Sequence, residues 1–305
     1  MRYASCGSDK PFERHALGDF YRWYRYMTFP PGRVAGFGDP APDMPPVVGP
    51  AAAVASATND PLLQWFYMQY NQAMLESHRD RALELLYYDA NLGLQSPEGV
   101  MPLGRAYHHH GKLASSRSSW DPLSTISVVY AKAGREPIHG RADCGQVCID
   151  GFGERLVVDF GAPPGYPKGD QEYYYNYQQF GHNVFVFGHN DTGGISFRKT
   201  DRNGSFKWAE FDDARGAAWT MDLSGVYDEG AQVTRTLVHL LPRVVTVLDV
   251  ATLPAEQDIS MRWHLAQAAD PGANGSFAIK SGGVTLAGRL LRLDGEAQTS
   301  TGTHR

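Results

Sequence analysis

The sequence predicts a multidomain α plus β protein, with helices over residues 1–118 and an antiparallel β-sandwich, or a barrel, over 119–305. Two early segments repeat their apolar residues at intervals of three and four, the signature of a buried helix face. After about Arg117 the chain changes to short runs of Val, Ile, Tyr and Phe cut by Gly, Asn and Asp turns, which favours antiparallel strands over alternating β and α units. A length of 305 residues also exceeds one average domain, since compact domains run roughly 100 to 200 residues.

The first predicted helix, residues 17–27, carries Phe20, Tyr21, Tyr24 and Met27 at helical spacing, and Pro30-Pro31-Gly32 stops it. Residues 29–58, with the turn Phe37-Gly38-Asp39-Pro40, read as a long loop rich in Pro and Gly. A loop of that length usually has a function or lies over another domain. Asn59 and Asp60 before Pro61 form a cap followed by proline, opening a helix over 60–88. Its buried face is Leu62, Leu63, Phe66, Tyr67, Tyr70, Met74 and Leu75. The eight strand-like runs that follow are 125–131, 147–150, 155–160, 183–187, 217–223, 233–241, 244–250 and 259–265. No internal repeat is present.

Composition narrows the function classes. The net charge of −5 and pI of 6.1 remove the basic field that nucleic-acid or anionic-membrane binding requires. An apolar fraction of 42% and a charged fraction of 20% describe a chain able to bury a core. The 16 Tyr, 14 Phe and 6 Trp suit a large β-sheet protein or one that stacks rings on sugars. Cys6, Cys144 and Cys148 are too few for a disulfide framework, and an extended backbone holds the last two about 13 Å apart, too far to bridge. No apolar run reaches the ~20 residues of a membrane span, and the first residues lack the basic-then-apolar layout of a signal peptide.

The densest chemistry lies in Pro137-Ile-His139-Gly-Arg141-Ala-Asp143-Cys-Gly145, Arg155-Leu-Val-Val-Asp159-Phe-Gly161 and Phe180-Gly-His182-Asn183. Strand ends joined by glycine turns can aim a His, an Asp and a second His at one point, as a metal or a proton-transfer site requires. The alternative, that each is a satisfied polar residue at a sheet rim, stays open. Tyr173, Tyr175 and Asn183 are candidates for binding substrate, the tyrosines as a stacking rim, with half-buried packing the competing reading. Helical spacing with Phe20 and Trp23 assigns Tyr21, Tyr24 and Tyr26 to a core. His108, His109 and His110 read as a solvated loop, and His264 as a strand residue on one sheet face.

The ordered motifs resemble the heparinase II/III-type polysaccharide lyases. His-x-x-x-Asp-x-Gly from His139, the Gly-Glu-Arg hairpin, Val-Val-Asp159-Phe-Gly, the Tyr-rich segment, Gly-His182-Asn183 and Asp222-Leu-Ser-Gly-Val-Tyr227 are similar to that family's β-sandwich module. Phe20-Tyr-Arg-Trp-Tyr-Arg and Phe37-Gly-Asp39 resemble the closing helices of its (α/α) toroid, and Arg117-Ser-Ser-Trp120 its entry into the sandwich. The resemblance covers residues 17–270. It implies that 1–118 supply only the terminal helices and loop of a truncated toroid, and that 119–305 are a sandwich left incomplete at its C-terminal end.

The activity implied is β-elimination on an acidic, uronate-containing polysaccharide of glycosaminoglycan or alginate type, in the periplasm or outside the cell. His139 takes the family's cleft histidine as the catalytic candidate; its pKa of ~6.5 lets an imidazole serve either protonation state near neutrality. The tyrosine acid of the family sits on toroid helices that would precede this segment, so the chain is expected to be a fragment lacking part of the catalytic site. The other reading is a non-catalytic carbohydrate-binding or structural sandwich remnant. The resemblance also implies a structural zinc at the positions of Arg141, Asp159 and His182. Arg141 departs from the pattern, because a guanidinium has no lone pair to give; an Arg141–Asp159 ion pair is the natural alternative.

Overall fold

The computed structural model describes residues 17–38, 44–71, 87–109, 111–135, 141–160, 179–187, 203–227 and 230–291. The candidates His139, Tyr173 and Tyr175, and residues 72–86 of the predicted helix over 60–88, lie outside these residues.

Helix α1, Leu17–Tyr26, carries Asp19 in its first turn and Arg25 in its last, each complementing the helix dipole. Helix α2, Gly49–Thr58, corrects the expected loop over 29–58. Pro50 sits in its first turn, five alanines supply high helix propensity, and Asn59 ends it in the left-handed region at φ 53°. Its periodicity is silent because Ala51, Ala52, Val54 and Ala55 are buried together with little contrast around the helix. Helix α3, Pro61–Tyr70, begins as its sequence dictates: Asp60 Oδ1 accepts the Leu63 backbone N–H at 3.0 Å. Leu63, Phe66, Tyr67 and Tyr70 pack on the small side chains of α2, and Tyr21 of α1 joins them. Among the described residues no helix is long and apolar enough to cross a membrane.

The rest is antiparallel sheet. After a short pair, β1 (Thr28–Phe29) and β2 (Arg33–Val34), come β3 (Gly104–Ala106), β4 (Leu113–Arg117), β5 (Ser127–Lys132), β6 (Gln146–Gly151) and β7 (Glu154–Val157). These last five form one sheet in sequence order, so two of its strands precede residue 118. After β8 (Phe185–Phe187), strands β9 (Ser205–Asp212), β10 (Gly216–Asp222), β11 (Gln232–Leu240) and β12 (Val244–Thr252) form the facing sheet. Strand β13 (Ile259–Met261) pairs with β8, and β14 (Asp270–Pro271), β15 (Ser276–Ser281) and β16 (Val284–Arg289) make a small third layer.

Strand alternation explains the packing. From the five-stranded sheet, Val129, Ala131, Val147 and Ile149 point to one side and meet Trp219, Met221, Val233 and Leu237 of the facing sheet. The alternate residues Val128, Tyr130 and Cys148 point to the other side and meet Tyr26, Met27, Phe29, Phe37 and Trp120. A sheet covered on both faces explains why β5 and β6 read as continuous apolar runs. Strands β3, β4, β9, β15 and β16 were not expected: β9, Ser-Phe-Lys-Trp-Ala-Glu-Phe-Asp, is a half-solvated edge strand with a weak apolar run. Gly216 starts β10 at φ 129°, where a Cβ would collide with the His239 carbonyl.

Arg117 joins the helical segment to the sheet. Its Nη2 donates to the carbonyls of Tyr26 at 3.0 Å, Thr28 at 3.1 Å and Arg25 at 3.3 Å, and its guanidinium lies 3.9 Å above the Trp120 ring. Burial pulls its pKa down to about 10, which leaves it charged at neutral pH.

Candidate functional site

The connection between β5 and β6 carries the His139 motif, and its base is rigid. Lys132 Nζ donates to Asp143 Oδ1 at 2.8 Å and Oδ2 at 2.7 Å, both side chains being fully buried. Such a pair holds only because each charge compensates the other out of water. Gly145 closes the turn at φ 96°, donating its N–H to the Lys132 carbonyl at 2.7 Å.

Directly beside it, three predicted residues come together. His182 Nδ1 lies 3.1 Å from Asp159 Oδ2, and neither side chain reaches solvent. A carboxylate accepts only, so Nδ1 carries a proton. That Nε2 has no hydrogen-bond partner among the described residues. Asn183, expected to contact sugar, is instead fully buried and committed to the fold. Its Nδ2 donates to the carbonyls of Val147 at 2.8 Å and Val158 at 2.9 Å, and its backbone N–H donates to Gln146 Oε1 at 2.5 Å. Its Oδ1 accepts from the His264 backbone N–H at 2.5 Å and from His264 Nδ1 at 3.1 Å. A sugar hydroxyl could reach this amide only by displacing those partners.

His264 was read as an ordinary strand residue, yet it follows β13 and faces this cluster. Burial first, and His182 second, push its pKa down to about 4, so it is neutral at pH 7. Arg235 was missed as well. It grips Asp249 at 2.6 and 3.1 Å and donates through Nη1 to the carbonyls of Gly145 at 2.6 Å and Asn183 at 2.5 Å. One guanidinium thus locks the turn below the His139 motif to the Asn183 loop. The signal was available only as a charged residue at an inward position of the β11 alternation.

Arg141 is also fully buried. The unpartnered Nε2 of His182 is a usable metal donor, but the set around it falls short of zinc. Asp159 is engaged with His182, the third position is a guanidinium, and the described residues hold no group of three or more His, Cys, Asp or Glu suited to a metal. Tyr21 and Tyr26 are core residues as expected. Tyr227, from the Leu-Ser-Gly-Val-Tyr motif, is buried with its hydroxyl donating to the Phe185 carbonyl at 3.3 Å, and burial raises its pKa.

A family model described as heparinase II/III-like, C-terminal, matches residues 124–302. No curated protein matches the chain. Among solved structures, the heparinase III product of the BT4657 gene superposes with a TM-score of 0.63 at 13% identity, over 86% of this chain and 36% of that one. The heparan sulfate lyase HepC from Pedobacter heparinus gives a TM-score of 0.56 at 14% identity, over 86% and 38%. A further heparinase III gives 0.54 at 15% identity, over 85% and 39%. At these identities the likeness is one of fold, and the chain spans little more than a third of the length of these structures.

Proposed function

This chain belongs to the heparinase II/III-like family, and from that premise we propose that it supplies the sandwich-bearing part of a polysaccharide lyase. The substrate is an acidic polymer containing uronic acid, of glycosaminoglycan or alginate type, met in the periplasm or outside the cell. The division follows the change of texture near residue 118, with the preceding helices as the end of an (α/α) toroid and β3 and β4 as the entry into the sandwich.

The reaction is β-elimination. A neutralised uronate carboxylate makes the C5 proton acidic, a base removes that proton, and the C4–O glycosidic bond breaks as an acid protonates the departing oxygen. The electron pair left at C5 becomes a C4–C5 double bond. His139 acts in the cleft on the carboxylate or the C5 proton, Tyr173 and Tyr175 stack on sugar rings, and Asp159, His182 and Asn183 hold the strand ends below.

The observation that carries this reading is the family match across 124–302, which includes the complete His139-to-Tyr227 series of motifs. The assay is the ultraviolet absorbance of the product double bond during incubation with uronate polymers. An absorbance rise that His139→Ala abolishes supports the lyase. Polymer binding without any rise supports a carbohydrate-binding module instead.

A further inference from the structure

The four-stranded sheet β12-β11-β10-β9 buries only one of its faces. Its odd-numbered residues, Trp219, Met221, Val233 and Leu237 among them, pack on the five-stranded sheet. Strand alternation therefore turns its even-numbered residues outward. The end of α1 and the β1 region cover the opposite side of the five-stranded sheet, through Tyr26, Met27 and Phe29, so this outer face points away from the helices. One row crosses its middle, with Trp208 opposite Thr220, Thr220 opposite Thr236, and Thr236 opposite Leu248. Trp208 is 43% exposed and Leu248 42%, and Val244 and Val250 are more exposed than either.

Three observations say what fits there. No outward position of β11 or β12 carries a charge, and outward charges are confined to β9 and the end of β10, at Glu210, Asp212 and Asp222. An uncharged face meets its own image without repulsion, as a two-fold interface requires. The hydroxyls of Thr220 and Thr236 share a hydrogen bond at 2.8 Å, so the polar atoms at the centre are already partnered and lose little on leaving water. Four strands about 4.8 Å apart and about 25–30 Å long make a face of about 500 Å², and two such faces bury about 1,000 Å², the size at which specific interfaces begin. An acidic saccharide fits less well, since Trp208 is the one outward ring of this face and the outward charges near it are carboxylates.

We propose that this outer face is a homodimer interface, in which two copies stack their four-stranded sheets face to face, as the two large sheets within one chain already do. Leu248, Val250, Val244 and Trp208 supply the apolar contact. The interface is independent of the lyase reading and takes no part in breaking bonds.

Sedimentation equilibrium of the chain at about 1 to 100 µM tests it, a range that brackets micromolar self-association. The expected species at the upper end has twice the 33.6 kDa mass of one chain. Leu248→Lys and Trp208→Lys, both at solvent-facing positions, should keep the circular dichroism of the wild type and weaken self-association about 100-fold or more, because each buries an unpaired charge in the dimer. Leu123→Lys, at a residue 97% exposed outside this sheet, should leave the dimer intact. A wild type that stays at the mass of one chain overturns the proposal. So does a dimer that Leu248→Lys and Trp208→Lys both leave unchanged. A dimer lost in Leu248→Lys but kept in Trp208→Lys, three strands away, marks edge-to-edge pairing of β12 and overturns face stacking. Alginate binding that Leu248→Lys abolishes in a monomeric wild type makes the face a saccharide platform, which overturns it as well.

Discussion

Asp159 and His182 face each other at 3.1 Å through Oδ2 and Nδ1, both closed off from water, and the ring nitrogen on the far side of the histidine is left without a hydrogen-bond partner among the described residues. A carboxylate that fixes a histidine in this way usually prepares the opposite nitrogen as a donor. The resemblance places Arg141 at the third ligand position, and a guanidinium donates protons and accepts none.

The zinc content follows from that substitution. The wild-type chain is expected to contain no stoichiometric zinc by elemental analysis, and Arg141→His to gain about one ion per chain, with Asp159 releasing His182 Nδ1 to become a ligand alongside the two imidazoles. A folded Arg141→His variant without zinc would contradict the ligand positions.

Two buried histidines make the fold sensitive to acid. His239 Nε2 lies 2.7 Å from Ser127 Oγ, which itself donates to the Pro242 carbonyl at 2.6 Å, so Nε2 must carry the proton. Its Nδ1 then accepts from Ser116 Oγ at 2.9 Å. Burial brings both His239 and His264 down to about 4 from an ordinary value of 6.5. The unfolded chain therefore binds these protons first. Stability is full above about pH 6.5 and falls as pH drops toward about 4, by roughly 3 kcal/mol per histidine. Urea midpoints measured across this window should fall with pH, and His239→Gln should flatten part of the decline. A midpoint independent of pH would refute the neutral assignment.

Removing one member of the Lys132–Asp143 pair leaves a charge buried without its compensation. Asp143→Ala should lower unfolding free energy by about 3–5 kcal/mol, while the double change Lys132→Met, Asp143→Leu should cost markedly less. The urea midpoint at unchanged slope reads this directly. Equal losses in the single and double variants would show that the pair is not the source.

Arg117→Met should uncouple the helical segment from the sheet. It removes three charge-assisted bonds to the carbonyls of Arg25, Tyr26 and Thr28, worth about 3 kcal/mol together. Amide hydrogen exchange should quicken in α1 while β5 and β6 stay protected. Uniform quickening throughout would instead mark one undivided cooperative unit.

How far the sequence could be read follows from what each signal measures. Strands β5, β6, β10, β11 and β12 were found because inward residues alternate or, where both faces are covered, run continuously. Helix α2 was not, because alanines buried around most of a helix produce no stripe. Asp159 and His182 were paired through their motif. His264 and Asn183, 81 residues apart, meet only because β8 and β13 pair, a relationship that spacing cannot express. Arg235 falls on the inward face of β11 with Val233 and Leu237, but its partner Asp249 is seen only in the β11–β12 register.

The central claim is a lyase whose hairpin histidine acts on a uronate. Its most direct test is the ultraviolet absorbance of a C4–C5 double bond, recorded while the protein acts on glycosaminoglycan and alginate polymers. The account predicts a steady rise on at least one polymer, reduced about 100-fold or more in His139→Ala while polymer binding is retained. Polymer binding with no rise, or a rise that His139→Ala leaves unchanged, would contradict it.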